Sequence, residues 1–112
     1  MAGAALYDHL CRTCHTIGGG RRIGPDLAGV HQRRDRGWLV RFIDDPVTMN
    51  ATDPIARQLL REYEGRAMAD TGLDRQQIED VLAYIVAVSE ERARALAETG
   101  HPPAAGVRSP DR

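Results

Sequence analysis

Apolar positions recur at helical spacing in four stretches of the chain, and no stretch makes a convincing strand. Leu6, Tyr7, Leu10 and Cys14 share one face of a helix expected over residues 3–14. Trp38, Leu39, Phe42 and Ile43 share a face of a second helix over 37–45, expected to stop before Pro46. A third is expected over 53–63, where Asp53 suits the N-cap and Pro54 the first helical position, at which a missing N–H costs nothing. The longest starts near Asp74, where Asp74 and Gln77 have capping-box spacing. Its stripe of Ile78, Val81, Leu82, Ile85 and Val88 can run to about Thr99, before Gly100 and Pro102–Pro103. Residues 16–37, with "GGG" and "GPDLAG", read as loop. Residues 100–112 have no apolar period and read as a disordered tail or linker stub, leaving one domain over 1–99. The expected class is all-α.

Composition narrows the picture. A chain of 112 residues, 42% hydrophobic and 28% charged, fits one small globular domain that often leans on a cofactor, metal or disulfide. One Trp, three Tyr and one Phe leave a core short of aromatics. No apolar run approaches the roughly 20 residues that span a membrane, and "MAGAALYDHL" lacks the pattern of an export signal, as expected of a mature or excised segment. The net charge of −1 argues against a nucleic-acid binder. Residues 1–41 hold seven Arg against three Asp, residues 42–112 eight Arg against thirteen acids, and there is no lysine. Arg21, Arg22, Arg33, Arg34 and Arg36 read as a solvated loop or a docking surface, apart from an acid-neutralising role for Arg33 or Arg34. His9, His31 and His101 read as surface residues.

The chemistry concentrates in "CRTCHTIGGG", residues 11–20, which holds both cysteines and a histidine directly after them. A thioredoxin-like dithiol needs a βαβ context and a thiol of lowered pKa. A zinc site needs four ligands, and the sequence offers no second Cys or His pair. C-x-x-C-H is also the attachment signature of haem c: two thiols add across the vinyl groups and the next imidazole sits under the iron. An electron-transfer haem usually has a second axial ligand, often methionine. Met68, in the loop before the long helix, is the first choice, with an alternative reading as a core gap-filler; Met49 competes as ligand.

With these residues in place, the chain resembles the class I c-type cytochromes, small soluble mono-haem carriers, over most of residues 3–86. Gly3, Tyr7 and Cys11 match the N-terminal helix glycine, aromatic and first haem cysteine, and Cys11, Cys14 and His15 the attachment motif. "IGPDLAG" resembles the loop whose proline packs on the proximal histidine side, here Pro25, with Leu27 lining the haem. Arg33 falls where some members place an arginine near a propionate. "WLVRFIDDP" resembles the middle helix, placing Leu39, Phe42 and Ile43 in the pocket. Met68, Gly72 and Leu73, followed by "VLAYI", resemble the methionine loop and C-terminal helix, with Val81 and Tyr84 packing near Gly3 and Tyr7. Two departures stand out: Ala69 replaces the proline that often follows the ligand methionine, and the 47–67 stretch is longer than in the smallest members. Trp38 can reach a propionate or pack in the core; Tyr63 can line the distal side or cap the extra helix.

The resemblance implies a cytochrome c fold with crossing N- and C-terminal helices around one haem c, bound covalently through Cys11 and Cys14. It implies His15 and Met68 as iron ligands, one-electron transfer without enzymatic activity, transient docking of redox proteins at the exposed haem edge, a monomer, and a periplasmic or extracytoplasmic location. A haem-based gas or redox sensor with a labile methionine, and a relay domain of a larger oxidoreductase, are the alternatives.

Overall fold

A computed structural model describes residues 1–99; the tail expected over 100–112 lies outside the described residues. Six helices follow in order: α1 Ala2–Leu10, α2 Val30–Arg33, α3 Arg36–Asp44, α4 Pro46–Thr52, α5 Pro54–Glu62 and α6 Arg75–Thr99. No strand occurs among the described residues, so the class is all-α as expected.

The helix starts follow their caps. Asp35, Asp45 and Asp53 each accept from a backbone N–H three residues on, at the heads of α3, α4 and α5. Asp74 and Gln77 close a reciprocal capping box: Asp74 N–H donates to Gln77 Oε1 at 3.0 Å and Gln77 N–H to Asp74 Oδ1 at 2.9 Å.

Three boundaries differ from the sequence reading. α1 ends at Leu10, and residues 11–14 form a turn in which Cys11 N–H still reaches Tyr7 O at 2.9 Å and His15 N–H reaches Cys11 O at 2.9 Å. α4 was not expected at all. Pro46 ends one helix and begins the next, because Asp45–Pro46 repeats the cap-plus-proline arrangement of Asp53–Pro54. α2 is one turn inside the loop expected over residues 16–37, entered through Gly29 at φ 71°.

The most extensive packing joins α1 to α6. A Cβ on Gly3 would lie 2.0 Å from Asp80 O, so only glycine lets the two helices cross this closely. One turn along, the rings of Tyr7 and Tyr84 meet at 5.5 Å and 47°. Ile78, Val81, Leu82 and Ile85 carry the α6 stripe into the core, beside Trp38, Leu39 and Val40 of α3. Arg36 pairs with Glu79 across the α3–α6 junction. The inserted α4 and α5 join the same core through Met49 and Ala56. Trp38 Nε1–H donates to Asp53 Oδ2 at 2.9 Å, tying α3 to the cap of α5.

Candidate functional site: the Cys11–His15 turn and its loop

The turn after α1 holds Cys11 buried, Cys14 half-buried and no disulfide between them. Burial, reinforced by the neighbouring Cys14, pushes the unmodified Cys11 thiol up to about 11. A redox dithiol requires the opposite shift, so the thioredoxin-like reading fails on chemistry as well as on the absence of strands among the described residues. The zinc reading finds no support either: no group of three or more His, Cys, Asp or Glu among the described residues converges on a metal-ion position.

His15 is oriented by its own loop. Its Nδ1 lies 2.9 Å from the carbonyl oxygen of Pro25. A carbonyl only accepts, so Nδ1 carries the proton and Nε2 keeps its lone pair, the tautomer of a metal-ligating imidazole. Burial lowers the imidazole pKa, while the Pro25 bond opposes the shift. Gly24 forms a flat wall against the ring: a Cβ there would stand 2.6 Å from His15 Cε1. Gly24 N–H in turn donates to Cys14 O at 2.7 Å, which fixes the wall to the cysteine turn.

Asp26, next to Pro25, organises the remainder of the loop, and the sequence reading missed it. Oδ1 accepts from Gly18 N–H at 2.7 Å and Ala28 N–H at 2.9 Å, and Oδ2 from Gly20 N–H at 2.9 Å. Burial alone would raise its pKa; the amides of Ala28, Gly18 and Gly20, with Arg92 nearby, overcome this and hold the carboxyl below its ordinary range. The legible signal was local: an Asp accepting from the amide two residues on is an Asx turn, a chemistry suited to "PDLAG". Ser89 of α6 adds a tie by accepting from Gly29 N–H at 3.0 Å.

The other expected residues divide. Leu27 is fixed by its N–H to Thr16 O at 2.8 Å and packs, partly buried, against the cluster that contains Cys11 and Leu39; Phe42 packs against the same cluster. The arginine expected near a propionate is turned to the loop: Arg33 donates to Ala28 O at 2.7 Å and Asp26 O at 3.1 Å. Trp38, considered for the same contact, gives its indole N–H to Asp53. Met49 is buried in the core through α4, whereas Met68 is half-buried in the irregular segment between α5 and α6. An open crevice beside His15 is lined also by Tyr7, Arg12, Ile17, Tyr84 and Val88; Leu27, Leu39, Phe42 and Met68 are not part of it. The structure thus brings Cys11, Leu27, Leu39 and Phe42 together, ties His15 to Pro25, and leaves Met68 outside that cluster.

These residues suit a covalently bound haem. Two unlinked thiols precede an imidazole whose Nδ1 is already engaged, beside a glycine wall with no room for a side chain. Comparisons with known proteins agree. The family model for cytochrome c matches residues 1–89. A solved cytochrome c from Rhodothermus marinus is 32% identical at a TM-score of 0.76, covering 80% of this chain and 76% of its own. The cytochrome c domain of the pp3183 protein from Pseudomonas putida is 30% identical at a TM-score of 0.73, covering 92% of this chain and 99% of its own. An engineered Rhodothermus marinus cytochrome c bound to a carbene intermediate is 29% identical at a TM-score of 0.70, covering 80% of this chain and 75% of its own. No curated protein sequence matches. On the family match and the fold together, the chain belongs to the cytochrome c family, haem-based electron-transfer proteins with covalently bound haem c.

Proposed function

We propose that this chain is an electron carrier in which Cys11 and Cys14 anchor one haem c and His15 and Met68 hold its iron. The observation that carries the reading is the bond between His15 Nδ1 and Pro25 O, which turns Nε2 into a ligand and fixes the ring. When bound, the haem supplies an iron that exchanges one electron between ferric and ferrous states. The chain's own residues exclude water, fix the imidazole and offer a thioether. Leu27, Leu39 and Phe42, in or packed against the apolar core with Cys11, would wall the haem and favour its less charged state. Arg33 supports the pocket indirectly, by bracing the carbonyls that flank Leu27.

Met68 is preferred to Met49 because Met49 is already packed in the core on α4. Withdrawing Met49 to ligate iron would open a cavity, whereas Met68 stands outside the core cluster. Transient redox partners, a monomeric state and an extracytoplasmic location complete the proposal; no helix among the described residues is long and apolar enough to cross a membrane. The test is the visible spectrum of the haem-loaded protein with Met68→Ala beside it. The parent is expected to show the far-red sulfur-to-iron band when ferric, and Met68→Ala to lose it. Retention of the band by Met68→Ala overturns the assignment.

Two further readings have an observation behind them. The irregular segment around Met68 favours a labile ligand, hence a gas or redox sensor; ready binding of carbon monoxide by the ferrous parent would select it. The likeness to a domain of the Pseudomonas putida pp3183 protein favours a relay module in a larger protein. Electron transfer to a neighbouring domain in the full-length gene product would select that reading.

A further inference from the structure

Glu64 is the one described non-glycine residue with positive φ, at 59°. It sits where α5 ends in a Schellman-type turn: Gly65 N–H donates to Leu60 O at 2.8 Å and Glu64 N–H to Arg61 O at 3.2 Å. Glycine is the residue this position favours, so a glutamate here carries a conformational cost. Strain of this kind persists where surrounding contacts impose it.

The contacts come from the haem-attachment loop. The Arg21 guanidinium lies over the Tyr63 ring at 3.9 Å from its centroid, donates to Glu62 O at 3.1 Å and approaches the Glu64 carboxylate at 3.7 Å. The second carboxylate oxygen faces Arg66, also at 3.7 Å. One arginine from the loop that follows His15 therefore grips three consecutive residues of the turn that launches the Met68 segment. Beyond it, residues 66–74 are irregular, anchored at the far end by Thr71 Oγ1–H to Ile43 O at 3.4 Å and by buried Leu73.

We infer that Arg21 is a positioning residue that clamps the start of the Met68 segment to the haem-attachment loop, and so governs how firmly the distal ligand is held. The inference rests on Met68 being that ligand. The ion pair alone contributes little, since both partners are largely exposed. The stacked guanidinium and its bond to a backbone carbonyl supply geometry that a lysine cannot reproduce. Glu64 extends the grip to Arg66, two residues before Met68, which accounts for a glutamate where glycine would terminate the helix better.

The experiment uses ferric haem-loaded protein and imidazole as a competing iron ligand, with amide hydrogen exchange as a second readout. Arg21→Ala is expected to bind imidazole about tenfold more tightly and to exchange amides 65–73 about tenfold faster, with α1 and α6 unchanged, within the combined scale of one exposed cation–π contact and one ordinary net hydrogen bond. Arg21→Lys should recover only part of this. Glu64→Gly relieves the backbone strain yet should still raise imidazole affinity by about threefold, a result that a residue serving only the helix end would not give. Unchanged imidazole affinity and exchange in Arg21→Ala, or equal loosening of α1 and α6, overturns the inference. Met68→Ala separates the two layers: if it binds imidazole no better than the parent, the ligand assignment fails, and the exchange of amides 65–73 decides whether Arg21 clamps the segment.

Discussion

The two sides of the expected haem pocket are built on different principles. On the His15 side, residues 14–29 are held throughout: Gly24 to Cys14, Leu27 to Thr16, His15 to Pro25, three amides to Asp26, and Gly29 to Ser89. On the Met68 side, residues 66–74 are held mainly at their ends, by the Arg21 clamp and by Thr71 and Leu73. A ligand fixed by a dense network cannot leave without breaking several hydrogen bonds. One carried on a segment tied at its ends can open locally at lower cost.

The sharpest way to break this contrast is one substitution made on each side. Gly24→Ala drives a methyl into the His15 ring, which can yield only by straining its bond to Pro25 O. We expect a loss of about 3 kcal/mol in denaturant unfolding, the upper range for overpacking. Asp26→Ala leaves the amides of Gly18, Gly20 and Ala28 without their acceptor; a loss of about 2 kcal/mol is expected by the same measurement, with faster hydrogen exchange confined to residues 16–29. On the other side, Gly72→Ala meets no atom within 4 Å and suffers only from its φ of 71°. A loss of about 1 kcal/mol is expected, with the His15 environment unchanged by NMR. Equal losses for Gly24→Ala and Gly72→Ala would show that the two sides are equally rigid.

Acid sharpens the comparison with the smallest effect. Asp26 is held below the ordinary carboxylate value of 3.8 in the folded protein. As pH falls, the unfolded chain therefore takes up this proton first, and the folded state loses the stabilisation as pH drops through 3.8 and below. Asp26→Ala should consequently lose less further stability than the parent between about pH 5 and pH 3 in acid unfolding followed by circular dichroism.

Local chemistry was legible wherever the signal was local. The Asp74–Gln77 box, the Asp53–Pro54 start and the period of Ile78, Val81, Leu82 and Ile85 fix α5 and α6 almost to the residue. The same rule holds at Asp45–Pro46, where one proline both stops α3 and starts α4, so a single signal serves two helices. Arg21, Arg22 and Arg33 of the arginine cluster are exposed, and each also donates to a distant or neighbouring backbone carbonyl. A guanidinium has five donors on a long stem, and sequence spacing does not say which carbonyl it meets.

By itself the sequence determined α1, α3, α5 and α6, through periodicity and caps that act over three or four residues, and the attachment motif, where two thiols and an imidazole at fixed spacing gained their meaning from the rest of the chain. The tertiary structure decided what contacts distant in the chain create. It set Gly24 against the His15 ring, placed Gly3 under Asp80, turned Asp26 into the hub of its loop, and brought Arg21 onto Tyr63 forty-two residues away. These depend on close packing and on directional hydrogen bonds, which exist only once the helices have crossed.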